Sequence, residues 1–194
     1  RVINPLREMG AIIESSNGKL PINTLDSKIS NNFKYDMPIA SAQVKSCLLL
    51  AALASNNNIT VTEPKITRDH TERMIDHFGG NISFEKKENN GEVQLKFNDL
   101  LPKSFYRVPG DFSSAAFIII AALIADQSEV LIKNVGLNKT RCGLIEILKL
   151  MGANINIQNQ KTESNEPVGD IIVQSSNLIG IDVPENIIPN IIDE

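Results

Sequence analysis

"MPIASAQVKSCLLLAAL" (37–53) is the stretch that decides the fold. Its second half, Cys47 to Leu53, is apolar at every position, the pattern of a helix buried on all sides and not of a surface helix with one greasy stripe. Ser41, Gln43 and Lys45 crowd its mouth, and Met37-Pro38 marks an extended strand end before it. The arrangement recurs. "VPGDFSSAAFIIIAALIA" (108–125) places Pro109 71 residues after Pro38, and "VPENIIPNIIDE" (183–194) opens a third copy with Pro184 75 residues after Pro109.

A second set of repeats answers the first. "LREMGAII" (6–13), "MIDHFGGNISF" (74–84) and "LKLMGANINI" (148–157) each read as an apolar helix end, a Gly at the C-terminal cap and an alternating strand. The chain is therefore built from a unit of about 70 residues. Within a unit, the buried helix is followed by a strand, "NITVTEP" (58–64) or "EVLIKNV" (129–135). A second helix comes next, over 69–78 with an Asp69/Glu72 capping pair, or over 140–151. Two strands close the unit as hairpins, "NISFEKK…GEVQLKF" and "NINIQNQ…GDIIVQS", whose polar middles "KENNG" and "KTESNEPVG" read as exposed turns. The predicted class is α/β, made of repeated βαβαββ units around a common centre and incomplete at both ends. "LPKSFYRVPGD" (101–111), with two prolines and a glycine, reads as a hinge between domains.

Bulk properties narrow the function. At 194 residues and 42% hydrophobic content the chain can build a core, and a net charge of −4 without a dense Lys/Arg stripe argues against nucleic acid as partner. The longest apolar run, Phe117 to Ala125, falls well short of the roughly 20 residues that span a bilayer, so no membrane partner is expected. Cys47 and Cys142 lie in predicted helices without C-x-x-C spacing and read as buried reduced thiols, which suits a reducing, cytoplasmic compartment. His70 and His77 lack a third ligand nearby, and no metal is assigned. Arg1 in place of an initiator methionine, and the apolar end "IIPNIIDE", suggest a piece of something longer.

The repeats also locate the chemistry. The residues after each Val/Met-Pro become the first turn of the buried helix, where N–H groups without intrahelical partners and the helix dipole attract anions. Ser41, Ala42 and Gln43 stand there in one unit, and Asp111, Ser113 and Ser114 in the next. Position alone favours simple capping, which needs no ligand. Arg68 of "EPKITRDHTERM" (63–74) precedes the expected N-cap Asp69 and could reach an anion at the same end of the sheet, or could equally pair with Asp69 or Glu72. Asp193 and Glu194 follow the third Val-Pro, where a carboxylate beside a bound hydroxyl could take its proton.

These segments, with "VGLNKTRCGLIEILKLMGA" (135–153), resemble in order the consecutive motifs of the 5-enolpyruvylshikimate-3-phosphate synthase family, in particular its bacterial class II. The resemblance implies the enolpyruvyl transferase fold, an inverse α/β barrel of two domains with active-site residues in the cleft between them. Residues 1–107 would be the later part of one domain and 108–194 the beginning of the second. It implies shikimate 3-phosphate and phosphoenolpyruvate as partners and no cofactor. Carried over residue by residue, Ser41 and the Ala42 backbone sit at the shikimate phosphate, and Gln43 lies between the ring and phosphoenolpyruvate. Arg68 is a further shikimate 3-phosphate contact. Asp193 matches the acid that binds the substrate hydroxyls and is the candidate catalytic base, and Asp111 matches an acid of the cleft.

The family's Lys-Ser pair near its N-terminus, its Lys-Arg-Pro segment just before the position of Arg1, and the Lys-Glu and Arg residues after the "IDE" motif lie outside these 194 residues. The expectation is therefore a central fragment, inactive alone and self-associating, from a parent enzyme that is monomeric. Two alternatives are weighed. UDP-N-acetylglucosamine enolpyruvyl transferase shares the fold, although "SAQVKS" and "TRDHTERM" argue against it. A non-catalytic scaffold with the same repeats would ignore shikimate 3-phosphate.

Overall fold

The structure is a computed structural model, and it describes every residue except 88–89, 102–104, 186 and 192–194. The chain divides into two compact units, Arg1–Lys103 and Ser104–Glu194.

The first unit opens with helix α1 (Ile3–Glu8) and the hairpin β1 (Ile13–Ser16) and β2 (Lys19–Thr24). It continues as β3 (Phe33–Asp36), α2 (Ala42–Ala54), β4 (Ile59–Glu63), α3 (His70–His77), β5 (Asn81–Lys86) and β6 (Gly91–Lys96), which is the strand-helix-strand-helix-strand-strand order expected. The four strands form one sheet in the order β3-β4-β6-β5. β3 and β4 are parallel, with Phe33 opposite Ile59 and Asp36 opposite Thr62, and the other pairs are antiparallel. Alternation along β4 and β6 turns Ile59, Val61, Val93 and Leu95 onto Val44, Leu48, Leu49 and Ala52 of α2 and onto Ile75 of α3.

The second unit repeats the scheme: α4 (Phe112–Ile124), β7 (Glu129–Gly136), α5 (Gly143–Leu150), β8 (Asn154–Glu163) and β9 (Glu166–Gln174), with a 3₁₀ turn at Ile188–Asn190. Its sheet runs β7-β9-β8. The strand before α4 shrinks to a single parallel bridge, Gly110 to Val135. Phe112, Ile119 and Leu123 of α4 pack with Val135, Ile145, Leu148, Ile155, Ile171 and Val173. The three repeated glycines behave as expected at helix ends, with φ of +112° at Gly10, +77° at Gly79 and +94° at Gly152.

Several expectations need correction. The apolar helices are not covered all round: Leu50 on α2 is 54% exposed, and on α4 Phe117 is 81% and Ile124 70% exposed. The sheet of a helix's own unit shields one flank only, and composition does not reveal which flank. Asp69 occupies the N-cap of α3 but makes no side-chain cap; its carboxylate pairs with Arg73 one turn on, at 2.9 Å. "KTESNEPVG" is mostly strand, because Ser164 and Asn165, at φ of +51° and +63°, form a two-residue hairpin loop and β8 and β9 run to either side of it. Cys47 and Cys142 are half-buried thiols outside any disulfide, and Cys142 occupies the N-cap position of α5 without lying inside the helix.

Candidate anion site at a helix start

Two consecutive helices begin at one edge of the first unit's sheet. Because β3 and β4 are parallel, α2 leaves the carboxyl end of one and the loop to α3 leaves the carboxyl end of the other. In an open α/β sheet this is the edge where ligands bind. The Met37 N–H donates to the Thr62 carbonyl at 2.9 Å, extending the parallel pairing toward that edge. Ser46 in the second turn of α2 and Thr71 in the first turn of α3 are then joined by a hydroxyl–hydroxyl bond of 2.7 Å.

Ser41 is the N-cap of α2, with extended backbone and its Oγ accepting from the Val44 N–H at 3.4 Å. A bond that long is weak. Ala42 is the first helical residue, and its N–H belongs to the turn that has no acceptor within the helix. Gln43 is exposed, and its Oε1 accepts from the Arg1 guanidinium at 3.4 Å. Arg1 thus adds a positive charge beside Gln43, a contact that no spacing rule could reveal. Arg68 is half-buried in the β4–α3 loop and engaged by neighbouring groups. The fold therefore brings Ser41, Ala42, Gln43 and the Arg68 loop to one sheet edge, while Asp193 lies outside the described residues.

The sequence reading missed the residue beneath these groups. Lys45, fully buried one turn into α2, places its Nζ 3.2 Å from both carboxylate oxygens of Glu63 and 2.6 Å from Glu72 Oε1. Glu63 is fully buried as well, and it accepts from Thr67 Oγ1 at 2.6 Å. Burial pushes the Glu72 carboxyl above the ordinary value of 4.5, and the Lys45 ammonium offsets only part of that effect. A signal was available for Glu63. In "ITVTE" strict alternation puts Glu63 on the face of Ile59 and Val61, whereas Lys45 stands between the polar Gln43 and Ser46 in α2 and its burial shows only in the structure.

In the second unit Asp111 caps α4, accepting from the Ser114 N–H and from Ser114 Oγ, each at 2.8 Å. Those bonds, followed by the Arg141 charge, hold its carboxyl below the ordinary 3.8. Arg141 also donates to Ser113 Oγ. Capping accounts for both Asp111 bonds to Ser114, and beyond them its carboxylate approaches Arg141 at 3.4 Å.

A cleft of about 270 Å³ lies beside the Arg68 loop, between α3 and β5, lined by Lys45, Thr67, Asp69, Glu72, Arg73 and Phe84 among others. Ser41, Ala42, Gln43 and Arg68 do not line it. The candidate anion site is instead an open helix end whose N–H donors suit a charged group, with the Arg68 loop on the same sheet edge. Among the described residues, no helix is long and apolar enough to cross a membrane, and no group of three His, Cys, Asp or Glu is placed to hold a metal ion.

Comparison with known proteins gives this edge its context. The family model for EPSP synthase (3-phosphoshikimate 1-carboxyvinyltransferase) matches residues 1–194. The 3-phosphoshikimate 1-carboxyvinyltransferase of Petrotoga mobilis is 48% identical over 196 residues, spanning 100% of this chain and 45% of its own length. That of Hydrogenovibrio crunogenus is 46% identical and is 44% covered. A solved EPSP synthase from Acinetobacter baumannii superposes with a TM-score of 0.82 at 40% identity, over 97% of this chain and 42% of that one. The chain spans less than half the length of these relatives. With a family model matched from its first residue to its last and the repeated βαβαββ units in place, the chain belongs to the EPSP synthase family.

Proposed function

We propose that the protein carrying this chain transfers the enolpyruvyl group of phosphoenolpyruvate to the 5-hydroxyl of shikimate 3-phosphate, a cytoplasmic step toward aromatic amino acids. The observation that carries the reading is the family match along all 194 residues, with the Ser41–Gln43 helix start and the Arg68 loop on one sheet edge. In this reaction the 5-hydroxyl oxygen bonds to C2 of phosphoenolpyruvate as C3 gains a proton. The tetrahedral intermediate then loses phosphate and a C3 proton, leaving the enol ether. Both substrates are anions, so binding and charge development call for fixed N–H donors and cations.

In this reading Ser41 and the Ala42 N–H hold the shikimate phosphate, with the α2 dipole behind them. Gln43 orients the ring toward phosphoenolpyruvate, Arg68 neutralises the phosphate, and Asp193 takes the 5-hydroxyl proton. Residues 1–107 belong to one domain of the parent and 108–194 to the next. Turnover is a property of a protein of the relatives' length, active as a monomer, and the 194 residues alone bind without turnover and self-associate through exposed apolar helix faces.

An amide NMR titration of the chain with shikimate 3-phosphate tests this. Saturable shifts clustered at residues 40–46 and near 68, absent with UDP-N-acetylglucosamine and lost in Arg68→Ala, are expected. Shifts with the sugar nucleotide alone would replace the acceptor, and silence with both would remove the substrate assignment.

A further inference from the structure

The buried cluster beneath the helix start is not used by any of the substrate contacts above. Its four members, Lys45, Glu63, Thr67 and Glu72, are set around the Arg68 loop in a particular way. Glu63 ends β4 and opens that loop, Thr67 immediately precedes Arg68, and Glu72 lies four residues after it in the first turn of α3. Thr67 holds Glu63 at 2.6 Å, and the Lys45 ammonium meets Glu63 at 3.2 Å and Glu72 at 2.6 Å. One ammonium therefore ties down both ends of the loop, and the loop's middle is tied to it through Thr67. That ammonium belongs to α2, where the Lys45 N–H donates to the Ser41 carbonyl at 3.1 Å. The residues above it, Ser41, Ala42 and Gln43, are the other half of the candidate anion site.

We propose that Lys45 is a positioning residue: through Glu63 and Glu72 it fixes the first turn of α2 and the Arg68 loop in one relative arrangement, so that helix N–H groups and guanidinium converge on a single anion. This rests on the substrate reading above.

The physical case is that stability does not explain the cluster. Three ionisable groups removed from water lose hydration that their mutual attraction barely repays, and apolar side chains of equal volume commonly stabilise such a site as well or better. What apolar side chains cannot supply is direction. The ammonium donates to Glu63 Oε1 on β4 and lies 2.6 Å from Glu72 Oε1 on α3, so its charge is fixed between two particular carboxylates. A one-residue slip of β4 would turn Glu63 outward and Thr62 inward, so the ion pair also pins the register that sets where the loop begins. Both links reach across to the same loop, whereas an apolar contact in that place would tolerate small slides of α2 along the sheet.

The test compares wild type with Lys45→Met, with the charge-balanced Lys45→Met/Glu63→Gln/Glu72→Gln, and with Val93→Ala as a control in the same core but away from the loop. The triple variant avoids an uncompensated buried carboxylate, so it remains informative if the single one fails to fold. Amide hydrogen exchange of the unliganded chain is read first. Loss of protection confined to residues 41–46 and 63–75 in the Lys45 variants, against a diffuse loss across the unit in Val93→Ala, is expected. Affinity for shikimate 3-phosphate should weaken about tenfold in the triple variant, and this loss should vanish in an Arg68→Ala background, because the brace acts through Arg68. Diffuse exchange in every variant overturns the proposal. So does a tenfold loss that persists without Arg68, and so does unchanged affinity beside localised exchange. If the wild type itself binds no shikimate 3-phosphate, the substrate reading fails, and the exchange pattern still decides whether Lys45 joins the two segments.

Discussion

Glu63 and Lys45 face each other across the core of the first unit, carboxylate to ammonium at 3.2 Å, with neither side chain reaching solvent. They stand 18 residues apart in the chain, and both are fully buried. The pairing joins the helix that offers N–H donors to the loop that offers Arg68. With Glu72 at 2.6 Å, Lys45 links α2, β4 and α3 beside the candidate anion site.

Arg68→Ala should weaken shikimate 3-phosphate binding by about 1 to 3 kcal/mol, the scale of a lost charge-assisted hydrogen bond, with the thermal midpoint little changed. Isothermal calorimetry beside a melting curve separates the two effects. A fall in stability as large as the fall in affinity would reduce Arg68 to a structural role.

Glu72 imposes a pH dependence whose sign follows from its raised carboxyl. A carboxyl that holds its proton more tightly when folded contributes stability that is fully present below its unfolded value near 4.5. That contribution is lost as pH rises through the raised native value. Relative to Glu72→Gln, wild type should therefore lose stability on going from acid toward neutral pH, then level off. Urea midpoints of both proteins across that range check the slope, and a rising difference would contradict it.

Asp111 works in the opposite direction. Its native carboxyl is lowered by the Ser114 bonds first and Arg141 after them, so its contribution is present above its ordinary 3.8 and fades as pH falls through the lowered native value. Asp111→Ala should cost about 1 kcal/mol at neutral pH, the usual scale of a lost helix cap, and Asp111→Ser should recover most of it. Urea midpoints of both variants at neutral and acid pH provide the measurement.

The two flanks of α2 should respond differently to shortening. Leu48 is fully buried and Leu50 is 54% exposed. Leu48→Ala should destabilise by about 2 to 5 kcal/mol through lost burial and the cavity left behind. Leu50→Ala should change stability by less than about 1 kcal/mol, because much of its surface is already wet. Equal losses in chemical denaturation would mean that a second copy covers Leu50 in solution.

Two of the repeated glycines separate strain from collision. A Cβ on Gly152, at φ of +94°, would meet nothing closer than the Asn177 carbonyl oxygen at 3.6 Å, so Gly152→Ala should show backbone strain alone, about 1 kcal/mol. On Gly10, at +112°, it would stand 2.6 Å from the Lys28 carbonyl oxygen, and that backbone must shift. Gly10→Ala should therefore cost clearly more than Gly152→Ala in the same thermal unfolding assay.

Much of this fold was legible one residue at a time. Proline and glycine punctuate each unit at matching offsets, and their backbone restrictions act locally, so the repeat, the order of elements and the helix-ending glycines could be read without tertiary information. Apolar alternation identified the strands of the two later hairpins for the same reason. The family resemblance rested on motifs in order, and it named Ser41, Ala42, Gln43 and Arg68 before any geometry was known.

Other features depended on which surfaces meet. The apolar runs of α2 and α4 looked alike along their whole length, yet burial is decided by what lies opposite, and only the structure shows that Leu48 faces the sheet while Leu50 and Phe117 face outward. Asp69 and Glu72 had the spacing of a capping box, but Lys45 draws Glu72 inward and Arg73 holds Asp69, since a buried ammonium attracts a carboxylate more strongly than an exposed N–H does. The chain's local chemistry determined the units and their order. The parallel register of β3 and β4 decided that Lys45, Glu63 and Glu72 share one buried point, because two charges become partners only when the backbone carries both into the same low-dielectric space.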